Sequence, residues 1–304
     1  MRTRVFLLAT ALPFAVALPS RPLAAQSSAT PYLSAPAPLP PPSGHYAELE
    51  PLSDAPAPGS PLDTLAYPPE LYGGYTLIAS RARPRYLAPG QVDYLASALD
   101  YPANSSAQTR AELDFLLDVQ ARRTPAEEAD ALAVASVGYW PDRDLAPDHP
   151  GRARNLAHLF YECRAVRGEG CTAERYPRTA DLLRGVMNDV RILEFAVKYD
   201  RLRARPYQLE PRLAPLREIE SPSFVSGHTL WAYAQALTFA ELDPANRDRY
   251  VALARDIGYS REVMGVHYPS DEEGARQLAY RLLWLMWHDA GFRADLAAAR
   301  AEWP

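Results

Sequence analysis

The sequence predicts an all-α fold, with a single helical bundle over residues 86–304 that follows a proline-rich extended arm. Apolar residues recur at helical spacing from about residue 86 onward. No alternating pattern typical of strands rises above noise, and no internal repeat is evident. After the N-terminal segment no run of 18 or more apolar residues occurs, which argues against a protein that crosses a membrane several times.

The length and net charge of the chain indicate whether it can form a core and whether it is suited to bind nucleic acid. At 304 residues the chain is long enough to bury a core. Its formal net charge is −5, and like charges do not form long runs. The sequence therefore predicts no nucleic-acid partner, and it leaves open whether the chain forms a homo-oligomer.

Residues 1–25 have the pattern of an export signal. Arg2 and Arg4 form a basic start, Val5 to Leu18 are mostly apolar, and Ala24-Ala25 supplies small residues for cleavage. A membrane anchor is the alternative, but two prolines interrupt a segment that is already too short to span. We therefore expect a periplasmic or secreted protein.

Residues 26–85 are predicted to form an arm or linker. Positions 31–69 hold 12 prolines in 39 residues, a composition that favours extended backbone without a packed core. The arm contains Ser43-Gly44-His45, a tripeptide that recurs downstream. Because this copy lies in low-complexity sequence, we attribute it to chance and assign His45 no role.

Helical periodicity and capping signals define the elements of the bundle. Helices with both ends predicted are 110–122, 153–161, 179–199 and 292–301. Two more are predicted to begin at Thr124-Pro125 and at Asp271. One runs from Ser226 or Thr229 through Ala240, and another from Asp243-Pro244 to Ile257, with Gly258 as the stop. The segment 179–199 is the clearest, because its apolar residues form one stripe. Arg205-Pro206 must lie past its end, since proline disfavours helix at the preceding residue.

The two cysteines of the chain, Cys163 and Cys171, are separated by seven residues that include two glycines. In an exported protein this spacing predicts a small disulfide loop. Two unpaired thiols are the alternative. A metal site would need more ligands than the neighbouring sequence offers.

Residues 198–271 concentrate side chains that hold and attack an anion. They fall in three blocks: Lys198 with Arg205-Pro206, then Ser226-Gly227-His228, then Ser260-Arg261 with His267 and Asp271. Arginine and lysine match the oxygens of a phosphate, and glycine at a helix start lets free amides approach it. One histidine must be neutral to attack phosphorus and the other protonated to release the leaving oxygen. Asp271, four residues after His267, can orient that ring. We expect His267 on a turn and Asp271 at a helix start.

The spacing of these blocks resembles the signature Lys-x6-Arg-Pro, Pro-Ser-Gly-His, Ser-Arg-x5-His-x3-Asp. That signature unites type 2 phosphatidic acid phosphatases, bacterial class A non-specific acid phosphatases and vanadium haloperoxidases. Ten of its eleven positions match, and Val225 stands where the family has proline. The similarity is strongest over residues 188–304, where it is closest to the class A enzymes.

The resemblance implies a role for each matching residue. His267 would be the nucleophile that forms a phosphohistidine, Asp271 would orient it, and His228 would be the general acid. The phosphate-binding residues would be Lys198, Arg205, Ser226, Gly227 and Arg261. No metal or other cofactor is implied. Because Val225 does not fix φ as proline does, the turn before Ser226 can differ, with lower activity or altered specificity.

The resemblance thus implies a metal-independent acid phosphatase that hydrolyses small phosphate monoesters. A vanadate-dependent haloperoxidase is the first alternative. Its size argues against it, since enzymes of that class are much longer chains. A catalytically weak anion-binding relative is the second, and Val225 is its support.

Overall fold

The computed structural model describes residues 36–49, 52–68, 70, 83–141 and 147–304. Within these ranges the regular elements are α-helices and short 3₁₀ turns, with no strand, and the predicted all-α class is confirmed. The predicted export signal lies outside the described residues.

Twelve α-helices occur in the described part of the chain. They are α1 (Gly44–Leu49), α2 (Pro89–Ser97), α3 (Ala107–Arg122), α4 (Pro125–Ala135), α5 (Arg152–Leu159), α6 (Tyr161–Arg167), α7 (Pro177–Arg201), α8 (Pro206–Leu209), α9 (Gly227–Leu242), α10 (Arg247–Val263), α11 (Pro269–Met286) and α12 (Ala290–Arg300). Two 3₁₀ turns, Pro61–Thr64 and Pro244–Asn246, lie between them.

Helix α9 is the centre of the bundle. It packs against α7, α10 and α11, and every residue in it except His228 is buried. A helix that is apolar on all sides is stable only inside a core, which is the position α9 takes. Its first turn, where His228 lies, is the end that remains open.

Helix α7 supports α9 and positions the segment before α2. It packs against α2, α9 and α12. Its buried Asp189 accepts hydrogen bonds from the backbone amides of Arg85, Tyr86 and Leu87 at 2.6, 2.9 and 3.0 Å. The helix ends at Leu202, whose φ of 51° lies in the left-handed region that usually ends a helix.

Two predicted helix starts are confirmed by their caps. The Thr124 hydroxyl accepts from the amide of Glu127, whose carboxylate accepts from the Thr124 amide in return. Ser226 caps α9 by accepting from the amide of Thr229.

The predicted helix stop at Gly258 is wrong, because α10 continues to Val263. A Cβ at Gly258 would lie 3.3 Å from the Thr229 hydroxyl, so glycine permits the close contact of α10 with α9. Packing therefore outweighs the low helix propensity of glycine. The predicted start at Asp243-Pro244 opens a 3₁₀ turn, and α10 begins after it at Arg247.

The described part of the arm packs on the bundle and is not extended throughout, because residues 44–49 form α1. Three arginines donate hydrogen bonds to proline carbonyls: Arg247 to Pro38, Arg255 to Pro41 and Arg276 to Pro40. The backbone amide of Ala37 donates to Glu241 at 3.0 Å. The arm thus follows the surface of α9, α10 and α11.

His45, to which the sequence assigned no role, fixes the end of this arm. Its Nε2 lies 2.9 Å from Oε1 of Glu262, and its ring stacks on Phe115 with centroids 4.9 Å apart. Burial alone would lower the pKa of His45, but the hydrogen bond and charge of Glu262 raise it above the usual value. Low-complexity composition concealed this contact, since its partners lie 70 and 217 residues further along the chain.

The predicted disulfide between Cys163 and Cys171 is present and joins α6 to the loop before α7. None of the helices described is both long enough and apolar enough to cross a membrane.

Candidate active site

The three sequence blocks meet at one cavity of about 360 Å³. Of the predicted site residues, six line its wall: Lys198, Arg205, Gly227, His228, Arg261 and His267. Asp271 and Ser226 lie behind the wall: Asp271 holds His267, which faces the cavity, and Ser226 caps the helix that carries His228. Helices α7, α9 and α10 and the turn before α11 therefore build the site together.

His267 and Asp271 form a buried dyad. Nδ1 of His267 lies 3.1 Å from Oδ2 of Asp271, which also accepts from the Ser223 hydroxyl at 2.5 Å and the Tyr268 amide at 3.0 Å. As predicted, His267 lies on a turn and Asp271 in the first turn of a helix. This geometry fixes the ring and directs Nε2 away from the carboxylate.

The protonation states of the dyad follow from its surroundings. Burial, and then the charge of Arg205, lower the pKa of His267 well below its usual value. Burial would raise the pKa of Asp271, but the charge of Arg203 and the hydrogen bond with His267 lower it instead. His267 is therefore neutral and Asp271 ionised. With the proton on Nδ1, the Nε2 lone pair accepts from Nη1 of Arg205 at 3.0 Å.

Arg203 supports Asp271 from the side opposite His267, and the sequence analysis missed it. Its side chain is fully buried, with Nη1 2.7 Å from Oδ1 of Asp271 and Nη2 3.4 Å from Oε2 of Glu112. The guanidinium also stacks 3.8 Å from the centroid of the Tyr268 ring. Burial raises the pKa of Glu112 to about 7. The sequence does show an arginine two residues before Arg205. The signature does not include that position, so nothing distinguished Arg203 from an ordinary surface arginine.

Lys198 and Arg205 are held by backbone carbonyls. Nζ of Lys198 donates to Pro222 and Ser223 at 2.8 and 3.1 Å. Arg205 donates to the carbonyls of Ser221 and Val266, each at 2.8 Å. Burial, and then the charge of Arg205, lower the pKa of Lys198 to about 7. Two cations are thus fixed in place before any anion arrives.

Arg261 is the least satisfied cation of the site. It is 1 % exposed, and its Nε and Nη1 are buried without a hydrogen-bond partner among the described residues. Burial lowers its pKa to about 10, which leaves it charged. A buried charge without a partner is costly, so a guanidinium that lines a cavity in this state is suited to bind an anion.

His228 faces the same cavity from the open end of α9. Its Nε2 is buried without a partner in the described structure. Burial, and then the charges of Arg261 and Arg191, lower the pKa of His228 well below its usual value. In the empty cavity the ring is therefore neutral, and an anion bound among these cations would offset part of that effect.

The turn before α9 explains why glycine follows Ser226. A Cβ at Gly227 would overlap the carboxylate of Glu194, so only glycine allows this close approach. Ser226 caps the helix and donates to the Thr229 hydroxyl at 3.0 Å. Val225 is fully buried, and the peptide bond before it is cis. The cap of α9 forms with valine at this position.

Two further residues of α7 line the cavity and were not predicted. Nη1 of Arg191 lies 2.7 Å from Oε2 of Glu194, and its guanidinium lies 4.4 Å from the centroid of the Trp140 ring. Arg191 and Glu194 precede Lys198 by seven and four residues and so share its helix face. That spacing was the signal by which they could have been found. In the part of the chain that the structure describes, no group of three His, Cys, Asp or Glu residues is placed to hold a metal ion.

Two curated relatives match a short region of the chain. A non-specific acid phosphatase of Providencia stuartii is 32% identical over 80 residues, which are 26% of this chain and 32% of that protein. An acid phosphatase of Zymomonas mobilis is 35% identical over 80 residues, which are 26% of this chain and 30% of that protein. The chain thus spans about a third of the length of these relatives.

Two solved structures are similar in part. One is the transmembrane PAP2 type phosphatidylglycerolphosphate phosphatase of Bacillus subtilis, with 20% identity, a TM-score of 0.41, and coverage of 67% of this chain and 92% of that one. The other is a bacterial vanadium-dependent iodoperoxidase, with 14% identity, a TM-score of 0.48, and coverage of 80% and 63%.

The sequence profile of the PAP2 superfamily matches residues 187–295, a range that contains all three blocks. This match confirms the resemblance predicted from their spacing, and it shows that this region is similar to the PAP2 superfamily.

Proposed function

We propose that this chain is a metal-independent phosphatase that hydrolyses small phosphate monoesters through a phosphohistidine at His267. The observation that carries the proposal is the shared cavity: it is lined both by a neutral histidine backed by Asp271 and by Arg261, whose Nε and Nη1 have no hydrogen-bond partner among the described residues. A nucleophile and an anion holder converge on one space there. The two curated relatives are acid phosphatases, which supports the same reaction class.

The first half of the proposed reaction forms a bond between nitrogen and phosphorus. Lys198, Arg205 and Arg261 hold the non-bridging oxygens, and the amides at the start of α9 add donors. The Nε2 lone pair of His267 attacks phosphorus in line with the ester oxygen. The bond between phosphorus and that oxygen breaks, and the oxygen takes a proton from His228.

The second half restores the protein. Water gives a proton to His228 and attacks phosphorus, and the bond to Nε2 breaks. Inorganic phosphate leaves, and His267 is again neutral. Asp271 stabilises the positive charge on the ring while the phosphohistidine exists.

The cations of the cavity give this reaction an acidic preference. Burial, and then the charges of Arg261 and Arg191, lower the pKa of His228, so without a bound anion the ring lacks the second proton that it would donate. A bound phosphate neutralises Arg261 and its neighbours and raises that pKa, and a lower pH increases the protonated fraction further. Because the cations occupy the place that a metal ion has in other phosphatases, the reaction needs no divalent ion.

We further propose that the protein is exported to the periplasm or secreted. The support is the pattern of residues 1–25 together with the disulfide between Cys163 and Cys171, since such bonds persist in oxidising compartments.

One pair of assays tests the proposed function. Release of nitrophenolate from p-nitrophenyl phosphate should continue in excess EDTA and stop with orthovanadate, which fits the same cavity. Halide oxidation with vanadate and hydrogen peroxide is measured in parallel. Loss of release in EDTA that a divalent ion restores would contradict the mechanism. Halide oxidation without phosphatase activity would identify a haloperoxidase, and phosphate binding without turnover would identify an anion-binding relative.

A further inference from the structure

Glu194 is a buried carboxylate in the wall of a cavity that is rich in cations. It is 5 % exposed, whereas the other carboxylates that line the cavity in the described structure, Glu218 and Glu220, are exposed. Its Oε1 is the atom that a Cβ at Gly227 would meet first. A negative group therefore lies beside the N-terminus of α9, where a phosphate oxygen would be held.

The elements around the cavity place cations and imidazoles near this carboxylate. They are Arg191 and Lys198 from α7, Arg205 from the segment before α8, His228 from α9, Arg261 from α10 and His267 from the turn before α11. Arg191 donates to Oε2 at 2.7 Å, while Oε1 is the oxygen on the Gly227 side. The pair with Arg191 holds the carboxylate in one orientation against the glycine.

An ionised carboxylate has only hydrogen-bond acceptors. It repels an unprotonated phosphate oxygen, but it accepts a hydrogen bond from a P–OH group. The second pKa of a phosphate monoester is about 6, so the singly protonated form predominates below that pH. A carboxylate at this position therefore discriminates between the two ionisation states of the same substrate.

We propose that Glu194 selects the monoanion of the phosphate group by accepting the hydrogen bond of its P–OH, an inference that rests on the proposed phosphatase function. The substrates are then phosphate monoesters that carry one proton. Tetrahedral dianions without a proton, of which sulfate is the simplest, are rejected. The acidic preference of the reaction comes in part from the substrate and not from the histidines alone.

The test compares two anions of the same shape. Binding of inorganic phosphate and of sulfate to the full chain is measured by calorimetry at pH 5.5, where phosphate carries protons and sulfate has none. A hydrogen bond to a charged group contributes about 1.5–3 kcal/mol, so the wild-type protein should prefer phosphate by about tenfold or more. In Glu194→Gln the amide can donate to sulfate, and the preference should fall toward one.

Glu169→Gln is the matched control, because it removes the same charge from a side chain that is 93% exposed and outside the cavity. It should keep the wild-type preference. A wild-type protein that binds sulfate as tightly as phosphate overturns the proposal without any variant. An unchanged preference in Glu194→Gln also overturns it, since Glu194 would then only position Arg191.

The same measurements separate this inference from the proposed function. A protein that prefers phosphate over sulfate but releases no nitrophenolate supports the role of Glu194 and contradicts the phosphatase. If neither anion binds to the wild-type protein, both are contradicted. A second readout is the ratio of kcat/KM for Glu194→Gln to that of wild type, which should increase as pH rises through about 6.

Discussion

At the scale of single residues, the orientation of the His267 ring is set by hydrogen bonds at both of its nitrogens. Asp271 holds one ring nitrogen, and Arg205 contacts the other from the cavity side. In the proposed mechanism the hydrogen bond between Arg205 and Nε2 must be released before that nitrogen can attack phosphorus. Substrate binding and release of the nucleophile are then expected to be coupled.

Replacing His267 with alanine should abolish turnover while phosphate still binds, because the cations of the cavity remain. Turnover is measured with p-nitrophenyl phosphate and binding by calorimetry. Brief labelling with radioactive substrate should trap the phosphohistidine in wild type only, and the quench must be alkaline because the bond is acid-labile. His288→Ala changes an exposed histidine and serves as the control. Substantial turnover by His267→Ala would show that another group attacks phosphorus.

The role of His228 depends on the leaving group. A nitrophenolate departs readily as an anion, whereas an alkoxide needs a proton. His228→Ala should therefore lose about 10²–10⁴-fold in kcat on glycerol phosphate and far less on p-nitrophenyl phosphate. Equal losses on both substrates would reject the general-acid role and leave His228 as a contact to phosphate.

Lys198 gives the site a pH limit on its basic side. Its pKa of about 7 means that the empty site loses one positive charge as pH rises through that value. Affinity for inorganic phosphate should then fall faster in wild type than in Lys198→Arg, whose charge persists. Competitive inhibition between pH 6 and pH 8 measures the ratio of the two affinities. A constant ratio would mean that Lys198 stays charged throughout.

The residues that sequence analysis found and missed differ in a physical respect. Motif spacing located six of the residues that line the cavity, since the chemistry of phosphate binding and attack demands particular residue types. Arg203 and Glu112 act through each other across 91 residues, and only the folded chain brings them together. Glu194 was missed because a carboxylate is not expected among the cations of a proposed phosphate site.

At the scale of elements, helix starts that have a capping residue were predictable, and helix ends that depend on packing against other helices were not. The Thr124 and Ser226 starts follow from local hydrogen bonds within three residues. The end of α10 depends on Thr229 of another helix, a contact that periodicity does not contain. Helix α1 has only six residues, and so short a helix has little stability alone, which makes its contacts with the bundle important.

The contact of His45 with Glu262 should make attachment of the arm depend on pH. The folded-state pKa of His45 is raised, so its stabilisation is complete below the ordinary histidine pKa and is lost as pH rises through the raised value. His45→Gln should lower the melting temperature by about 2–4 °C at pH 6, as expected for roughly 1 kcal/mol, and by less at pH 9. His288→Gln is the control. An equal decrease in melting temperature at pH 6 and pH 9 would show that only the stacking of His45 on Phe115 stabilises the arm.

At the scale of the whole molecule, one helix serves both the core and the site. Helix α9 is buried along its length and presents its first turn to the cavity. The all-α class was predictable because apolar residues recur at helical spacing in several segments, most clearly over 179–199 in α7. The attachment of the arm could not be predicted. Its amino-acid composition indicates only that it forms no core of its own, and contacts made by its backbone do not depend on composition.

Because Arg247, Arg255 and Arg276 bind the carbonyl oxygens of Pro38, Pro41 and Pro40, the bundle recognises the backbone of the arm over residues 38–41. Every residue type has a carbonyl, so substitutions in this stretch leave these hydrogen bonds intact. The attachment over residues 38–41 should therefore tolerate changes of side chain in the arm, whereas replacing any one of the three arginines removes a hydrogen bond from it.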